Sequence, residues 1–449
     1  MMCRRAMPLV ALLAVAAAID VAGGAAADDR PRVIVSTDAG GTDYDDLQSL
    51  VHLFAYADRV EIEGLVSSPY GPGRVEHILD VIDVYARDYP ALRTHAAYPP
   101  PDALRRVAVQ GAIESAGPTG FGDATAGSEW IIRCAHRDDP RPLWVLVWGG
   151  IDDVAQAVHD DPTIVDRLRV YFIGGPNKKW SPTAYDFLAR EHPGLWMIEA
   201  NSTYRGWFQG GDQSGPWGND AFVAEQVAGR GALGDYLAQG ITFRGERRAT
   251  LKMGDSPSLA YLLAGVPDDP GHGSWGGRFV RAWDRDRLVW RRPPQADDRV
   301  ETFRVVEIVL ASATPRERSL TATLVVDGQR CPGWRDDEGS WHFWFCPKES
   351  RVWHYAVESD DPVLADLRGE FPSVPASPER ASEPDTRHPH WWTDDPDPAV
   401  AEASYQGAKT VSRWRRAFLA DFAERLDRCR GMSAETADPP RAPVQADRP

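Results

Sequence analysis

Four carboxylates within nine residues, Asp38, Asp43, Asp45 and Asp46 in "STDAGGTDYDDLQSL", are the first feature of this chain able to do chemistry. Side chains so crowded repel one another unless a cation, shared protons or wide solvation holds them. Hard cations such as calcium take about six to eight oxygen ligands, and an acidic turn can supply several. EF-hand spacing does not fit, because no glutamate stands at the twelfth loop position. Aspartates also cap helices and fill turns, so this turn alone leaves metal binding and capping both open. Asp255, in the glycine-flanked turn "LKMGDSPSLAYLL", adds a second acidic position that could close a metal cage begun by Asp38.

The elements around these residues predict an α/β fold, a mainly parallel sheet flanked by helices. Apolar runs at 32–37, 61–68, 143–148, 170–174 and 195–201 alternate with helical periodicities such as Leu47, Leu50, Val51 and Phe54. Open sheets of this class bind ligands at the carboxyl ends of their strands. Here those ends carry Asp38, Ser67-Ser68, Trp148–Gly150, Gly174-Gly175 and the pair Glu199 and Asn201. Ordinary turns would explain some of these ends; five together favour a site.

Domain boundaries follow from changes of texture. Residues 1–27 have two arginines, an apolar run too short to span a membrane and an Ala-rich cleavage pattern, and are expected to be a signal peptide. The α/β domain is expected over 31–295 and a small inserted β module over 299–358, with Asp327-Gly328 as a hairpin turn. A Pro-rich connection over 371–409 should lead to a closing amphipathic helix at 410–430 docked on the α/β domain. A disordered tail is expected at 431–449. Cys331 and Cys346 flank a hairpin-like stretch and are expected to pair in an oxidising compartment; Cys134 and Cys429 read as buried thiols. Trp334, Trp341, Trp344 and Trp353 could form a carbohydrate-stacking face or fill the core of the module. His388 and His390 in "RHPHWW" read as part of a surface linker rather than a metal site.

The chain has 66 Asp+Glu against 50 Lys+Arg over 449 residues. It lacks a basic stripe, which argues against a nucleic-acid partner. No later apolar segment is long enough for a membrane span. The mature protein is therefore expected to be secreted or periplasmic, with a small sugar-bearing substrate or a polysaccharide as partner and a homo-oligomer left open. A serine hydrolase elbow, a phosphate loop and a zinc protease motif are all missing.

The motifs "TDAGGTDYDDLQSL", "VWGGIDDVAQAV", "GDSPSLAYLL", "SWGGRF" and "RWRRAFLADFAERLD" together resemble the nucleoside hydrolases. They resemble more closely an exported branch of nucleoside-hydrolase-like proteins named for a cellulose-binding-associated member. The resemblance implies a bound calcium ion. Asp38 would be both a metal ligand and the base that activates water. Asp46, the backbone carbonyl of Trp148 and Asp255 would complete the ligands, with Asp43 competing for the place of Asp46. Asp45, Glu199 and Asn201 would hold sugar hydroxyls. Compared with that family, the loop between Asp38 and the Asp-Asp pair is three residues longer. Gly254 stands where some members have a histidine, leaving His272 as a possible acid or merely a turn residue. Two functions follow as expectations: calcium-dependent hydrolysis of an N-glycosidic or related glycosyl bond, or sugar binding on a scaffold that has lost catalysis.

Overall fold

The computed structural model describes residues 29–41, 44–69, 71–117, 120–243, 246–312 and 319–430. The expected signal peptide, Asp43 and the expected C-terminal tail lie outside them. From Pro31 on, the described chain forms one compact unit.

Its centre is an eight-stranded sheet. In chain order the strands are β1 (Arg32–Thr37), β2 (Glu61–Ser67), β3 (Ala108–Gln110), β4 (Leu143–Val147), β5 (Leu168–Phe172), β6 (Trp196–Glu199), β7 (Phe279–Arg281) and β8 (Trp391–Asp394). Their spatial order is β3-β2-β1-β4-β5-β6-β8-β7. Every pairing is parallel except that of β8 with β7. Both faces are covered, which is why the central strands read as unbroken apolar runs. Val33 and Val35 pack on one side and Ile34 on the other, and the same alternation runs through β4 and β5.

One face is covered by helices α1 (Asp45–Ala55) and α2 (Val75–Leu92). The opposite face carries α3 (Ala126–Ala135), α4 (Asp152–Asp160) and α5 (Pro182–Glu191). Helix α6 (Ser256–Leu263) and the C-terminal α7 (Arg415–Asp427) join the α1 side. All eleven residues of α1 are buried, so its first turn is shielded from bulk water. Phe418, Phe422 and Leu426 of α7 enter the same core; Phe418 stacks on Trp207 with ring centroids 3.8 Å apart. Arg425 Nη1 donates to both carboxyl oxygens of Asp58, at 2.7 and 2.9 Å.

Between β7 and β8 the chain builds a β module of two small sheets around a separate apolar core. Its strands run from Leu288–Trp290 to Arg368–Val374, beyond the expected limits at both ends. Asp327 and Gly328, both with positive φ, close the hairpin between Ala322–Val326 and Gln329–Pro332. Trp341 and Trp353 are core residues, whereas Trp334 and Trp344 are half-buried.

Three expectations are corrected. The Pro-rich stretch is not a plain connection: it holds the end of the module's last strand and then β8, which enters the central sheet. His388 is buried, with Nδ1 2.9 Å from Asp385 and Nε2 2.8 Å from the carbonyl of Ala189, so it is no surface residue. The expected disulfide is not formed either, because Cys331 and Cys346 are both free, buried thiols. Cys331 packs in the module core, whereas Cys346 feels the charges of Lys178 and Glu199 at the junction with the central sheet. No helix among the described residues is long and apolar enough to cross a membrane.

Candidate active site

Asp38 follows β1, Asp45 and Asp46 open α1, Trp148 follows β4 and Asp255 caps the start of α6. The topology therefore delivers all five to the carboxyl end of the sheet. Carboxyl oxygens of Asp45, Asp46 and Asp255 lie within 4.8 Å of one another. Asp38 stands beside this group, close enough for its charge to act on Asp46. All four aspartates are buried, none more than 8% exposed.

Burial, then repulsion from Asp255, Asp38 and Asp45, holds the Asp46 carboxyl well above its ordinary value; a hydrogen bond from Thr37 Oγ1 pulls the other way. The side chain is poised for a cation or a proton. The donors present are carboxylate oxygens and a backbone carbonyl, the set preferred by hard divalent cations. The Trp148 carbonyl already accepts from Asn177 Nδ2 at 2.6 Å, and a carbonyl's second lone pair leaves room for one more partner. The Trp148 ring itself is buried, with Nε1 donating to Ser258 Oγ at 2.8 Å.

Two glycines make this crowding sterically feasible. A β-carbon at Gly149 would lie 2.8 Å from the Asp38 Cβ and 2.7 Å from Ser68 Oγ. At Gly254 it would lie 2.4 Å from Asp45 Oδ2, so the absence of a histidine there is tied to the position of Asp45. Asp45 Oδ2 is also 3.2 Å from the Lys252 ammonium.

A cavity of about 490 Å³ opens over these carboxylates. Besides the four aspartates and Trp148, its walls include Asn177, Lys179, Trp180, Tyr204, Arg205 and Lys252. Lys348 and Glu349 come from the β module, which thus forms part of the wall. None of these wall residues beyond Trp148 was singled out from sequence. "GGPNKKW" after β5 was the available signal, since it continues a glycine-bearing strand end. Nothing in the local sequence ties Lys348 or Glu349 to the aspartates.

Other expected site residues are elsewhere. Glu199 is wholly buried and does not line the cavity. Its oxygens accept from Lys178 Nζ at 2.5 Å, Tyr185 Oη at 2.8 Å and Asn201 Nδ2 at 2.8 Å, with Arg285 3.6 Å away. Burial pushes its carboxyl up, but Lys178, Arg285 and the hydrogen bonds outweigh it and hold the group at about 2. Asn201 is buried beside it. In this conformation Glu199 is committed to the protein interior, whereas Asn201, whose Oδ1 has no partner among the described residues, lines a separate pocket with Tyr185 and Arg285. His272 is exposed in a turn, with Nδ1 3.0 Å from the carbonyl of Gly273, and is not part of the cavity. Asp152 and Asp153, a second Asp-Asp pair, are structural: they accept backbone hydrogen bonds from Ala116 and Ala112.

The family model for the nucleoside hydrolase-like domain of cellulose-binding Sde182 matches residues 32–279, which carry every one of the acidic floor residues. The chain belongs to this family. No curated protein sequence matches the chain significantly. Among solved structures, it is similar to a nucleoside hydrolase-related protein from Saccharophagus degradans associated with carbohydrate metabolism. That match has 20% identity over 77% of this chain and 100% of the other, with a TM-score of 0.45. It is also similar to a plant nucleoside hydrolase, at 14% identity over 57% and 84% of the two chains and a TM-score of 0.37. An inosine-uridine preferring nucleoside hydrolase from Bacillus anthracis shows 16% identity over 56% and 85%, with a TM-score of 0.36.

Proposed function

We propose that this protein is an exported, calcium-dependent hydrolase of N-glycosidic or related glycosyl bonds. The observation that carries the reading is the convergence of Asp45, Asp46 and Asp255, with Asp38 beside them, on the floor of one cavity. Asp46, Asp255 and the Trp148 carbonyl would hold the ion, with Asp45 or Asp38 completing the set. A bound divalent cation supplies a lowered water pKa and a fixed direction of attack. Asp38, pinned between β1 and Gly149, would accept the proton from that water. Cationic character developing on the sugar in the transition state would be stabilised by the surrounding carboxylates. Export rests on the N-terminal leader pattern alone.

The test is sugar release from a panel of nucleosides, other N-glycosides and oligosaccharides, with calcium and after chelation, using wild type and Asp38→Asn. Calcium-dependent release that the substitution abolishes is the expected result; release that survives Asp38→Asn rules the mechanism out.

The sealed state of Glu199 favours one second reading, a sugar-binding protein without turnover. It expects retention on an insoluble polysaccharide and silence across the same panel.

A further inference from the structure

The wall of the cavity differs in charge from its floor. Lys252 is paired with Asp45. Lys179, Arg205 and Lys348 are placed differently. Among the described residues no carboxylate lies within ion-pair distance of Lys179 or Arg205, and no side-chain hydrogen bond is made by either. Lys179 Nζ sits 3.8 Å from the centre of the Trp180 ring. The Arg205 guanidinium rests 4.7 Å from the Tyr405 ring and 5.3 Å from that of Tyr204. Both side chains are half-buried. Lys348 reaches the same cavity from the module; its only described carboxylate neighbour is Glu349, 3.9 Å away and half exposed. Burial, and then the charge of Lys348, lower the Lys179 ammonium to about 8.

Glu349 on the same wall, and Asp45 at Arg205, offset part of this charge; three cations against one half-exposed wall carboxylate still favour an entering anion. A guanidinium fork and ammonium groups lining one cavity are the groups proteins use for oxyanions. The carboxylate floor would repel such a group, so it must lie towards the module. A cavity of about 490 Å³ has room for a sugar and a charged substituent together.

We propose that the ligand of this cavity is an acidic sugar derivative, whose oxyanion is bound by Lys179, Arg205 and Lys348 while its sugar faces the carboxylate floor. This rests on the sugar-directed reading above and deepens it by naming the charge class. The oxyanion is a carboxylate, as in a uronic acid, or a phosphate ester.

The test is calorimetric binding to the full chain in calcium, with matched probes: glucose, glucuronate and glucose 6-phosphate, then ribose and ribose 5-phosphate. Each acidic probe class that is recognised should bind at least roughly tenfold tighter than its neutral partner. Arg205→Gln and Lys179→Gln should each remove most of that preference. Lys348→Gln, in a more exposed segment, should weaken it without affecting folding, as judged by melting. Preference for glucuronate alone identifies a carboxylate, and preference for the phosphates alone a phosphate ester. Equal affinity within every pair, including no binding of either member, overturns the proposal, as does a preference that all three substitutions leave intact. The hydrolase reading is scored separately: acidic preference without sugar release from any substrate leaves the oxyanion site standing and removes the reaction. Calcium-dependent turnover with no acidic preference does the reverse.

Discussion

Glu199 and Lys178 form an ion pair of 2.5 Å in which neither side chain is exposed at all. Lys178 Nζ also donates to the carbonyl of Phe303, at 2.6 Å, and the Phe303 amide donates to the carbonyl of Pro347, at 2.7 Å. The pair is thus the inner end of a hydrogen-bonded path that leads to Lys348 on the cavity wall. Phe303 occupies the left-handed region at φ 68°, a conformation held by these two bonds.

Lys178→Met should therefore destabilise the protein by about 3 kcal/mol, the usual cost of leaving one member of a buried pair behind. Arg285, 3.6 Å from Glu199, will recover part of that. Urea denaturation measures the loss; a change under about 1 kcal/mol would mean the pair is not what anchors this junction.

Asp46→Asn should raise the melting temperature of the chelated protein, because it removes one of four mutually repelling buried charges while still accepting from Thr37. The same substitution should abolish stabilisation by added calcium. Melting curves with calcium and with chelator decide both halves, and a mutant that still responds fully to calcium would exclude Asp46 as a ligand.

Gly254→Ala places a methyl group 2.4 Å from Asp45 Oδ2 in the present backbone. Asp45 must move, and the calcium affinity read from the same melting assay should fall about tenfold or more, a coupling of about 1.4 kcal/mol. Gly254→His should do no better, so restoring the missing histidine alone is expected not to restore a leaving-group acid.

Acidity should stabilise the metal-free protein. Burial raises the carboxyls of Asp152 to about 7 and of Asp153 and Asp394 to about 6. Unfolded, each would titrate near 4. Between those values the folded chain holds protons that the unfolded chain releases, so stability falls as pH rises through the window. His52, lowered to about 3 by burial and then by Arg425, and His192, lowered by burial, work in the opposite direction below their ordinary value, against three raised aspartates. Glu199, at about 2, withdraws its contribution only below the window. The chelated chain should melt higher at pH 5.5 than at pH 7.5, while the benefit of calcium shrinks over the same interval as its ligands take up protons. A melting temperature that falls on acidification would contradict this balance.

The strands that were legible in the sequence are those covered on both faces, whose apolar runs leave little choice of structure. The aspartate turn was visible too, but alone it left capping and metal binding both open; the structure adds that Asp45, Asp46 and Asp255 converge. What local pattern did not carry is direction. Lys178 and Lys179 are neighbours with opposite fates, one sealed against Glu199 and the other facing the cavity, and only the packed junction with the module distinguishes them. The resemblance implied sugar contacts for Glu199 and Asn201, but a motif match says nothing about the lysine that occupies the glutamate. β8 was lost because it has four residues after a Pro-rich approach, too few for a period to emerge.

That short strand also orders events in time. β6 and β7 become neighbours in the sheet only through β8, which is made after the whole β module. Until residues 391–394 arrive, β6 presents an open edge, the kind of surface on which chains pair wrongly with one another. Pairings so distant in sequence form late. A chain stalled or cut within the module would therefore carry its aspartate turn but an unfinished sheet, so assembly of the module comes before completion of the fold that holds the site.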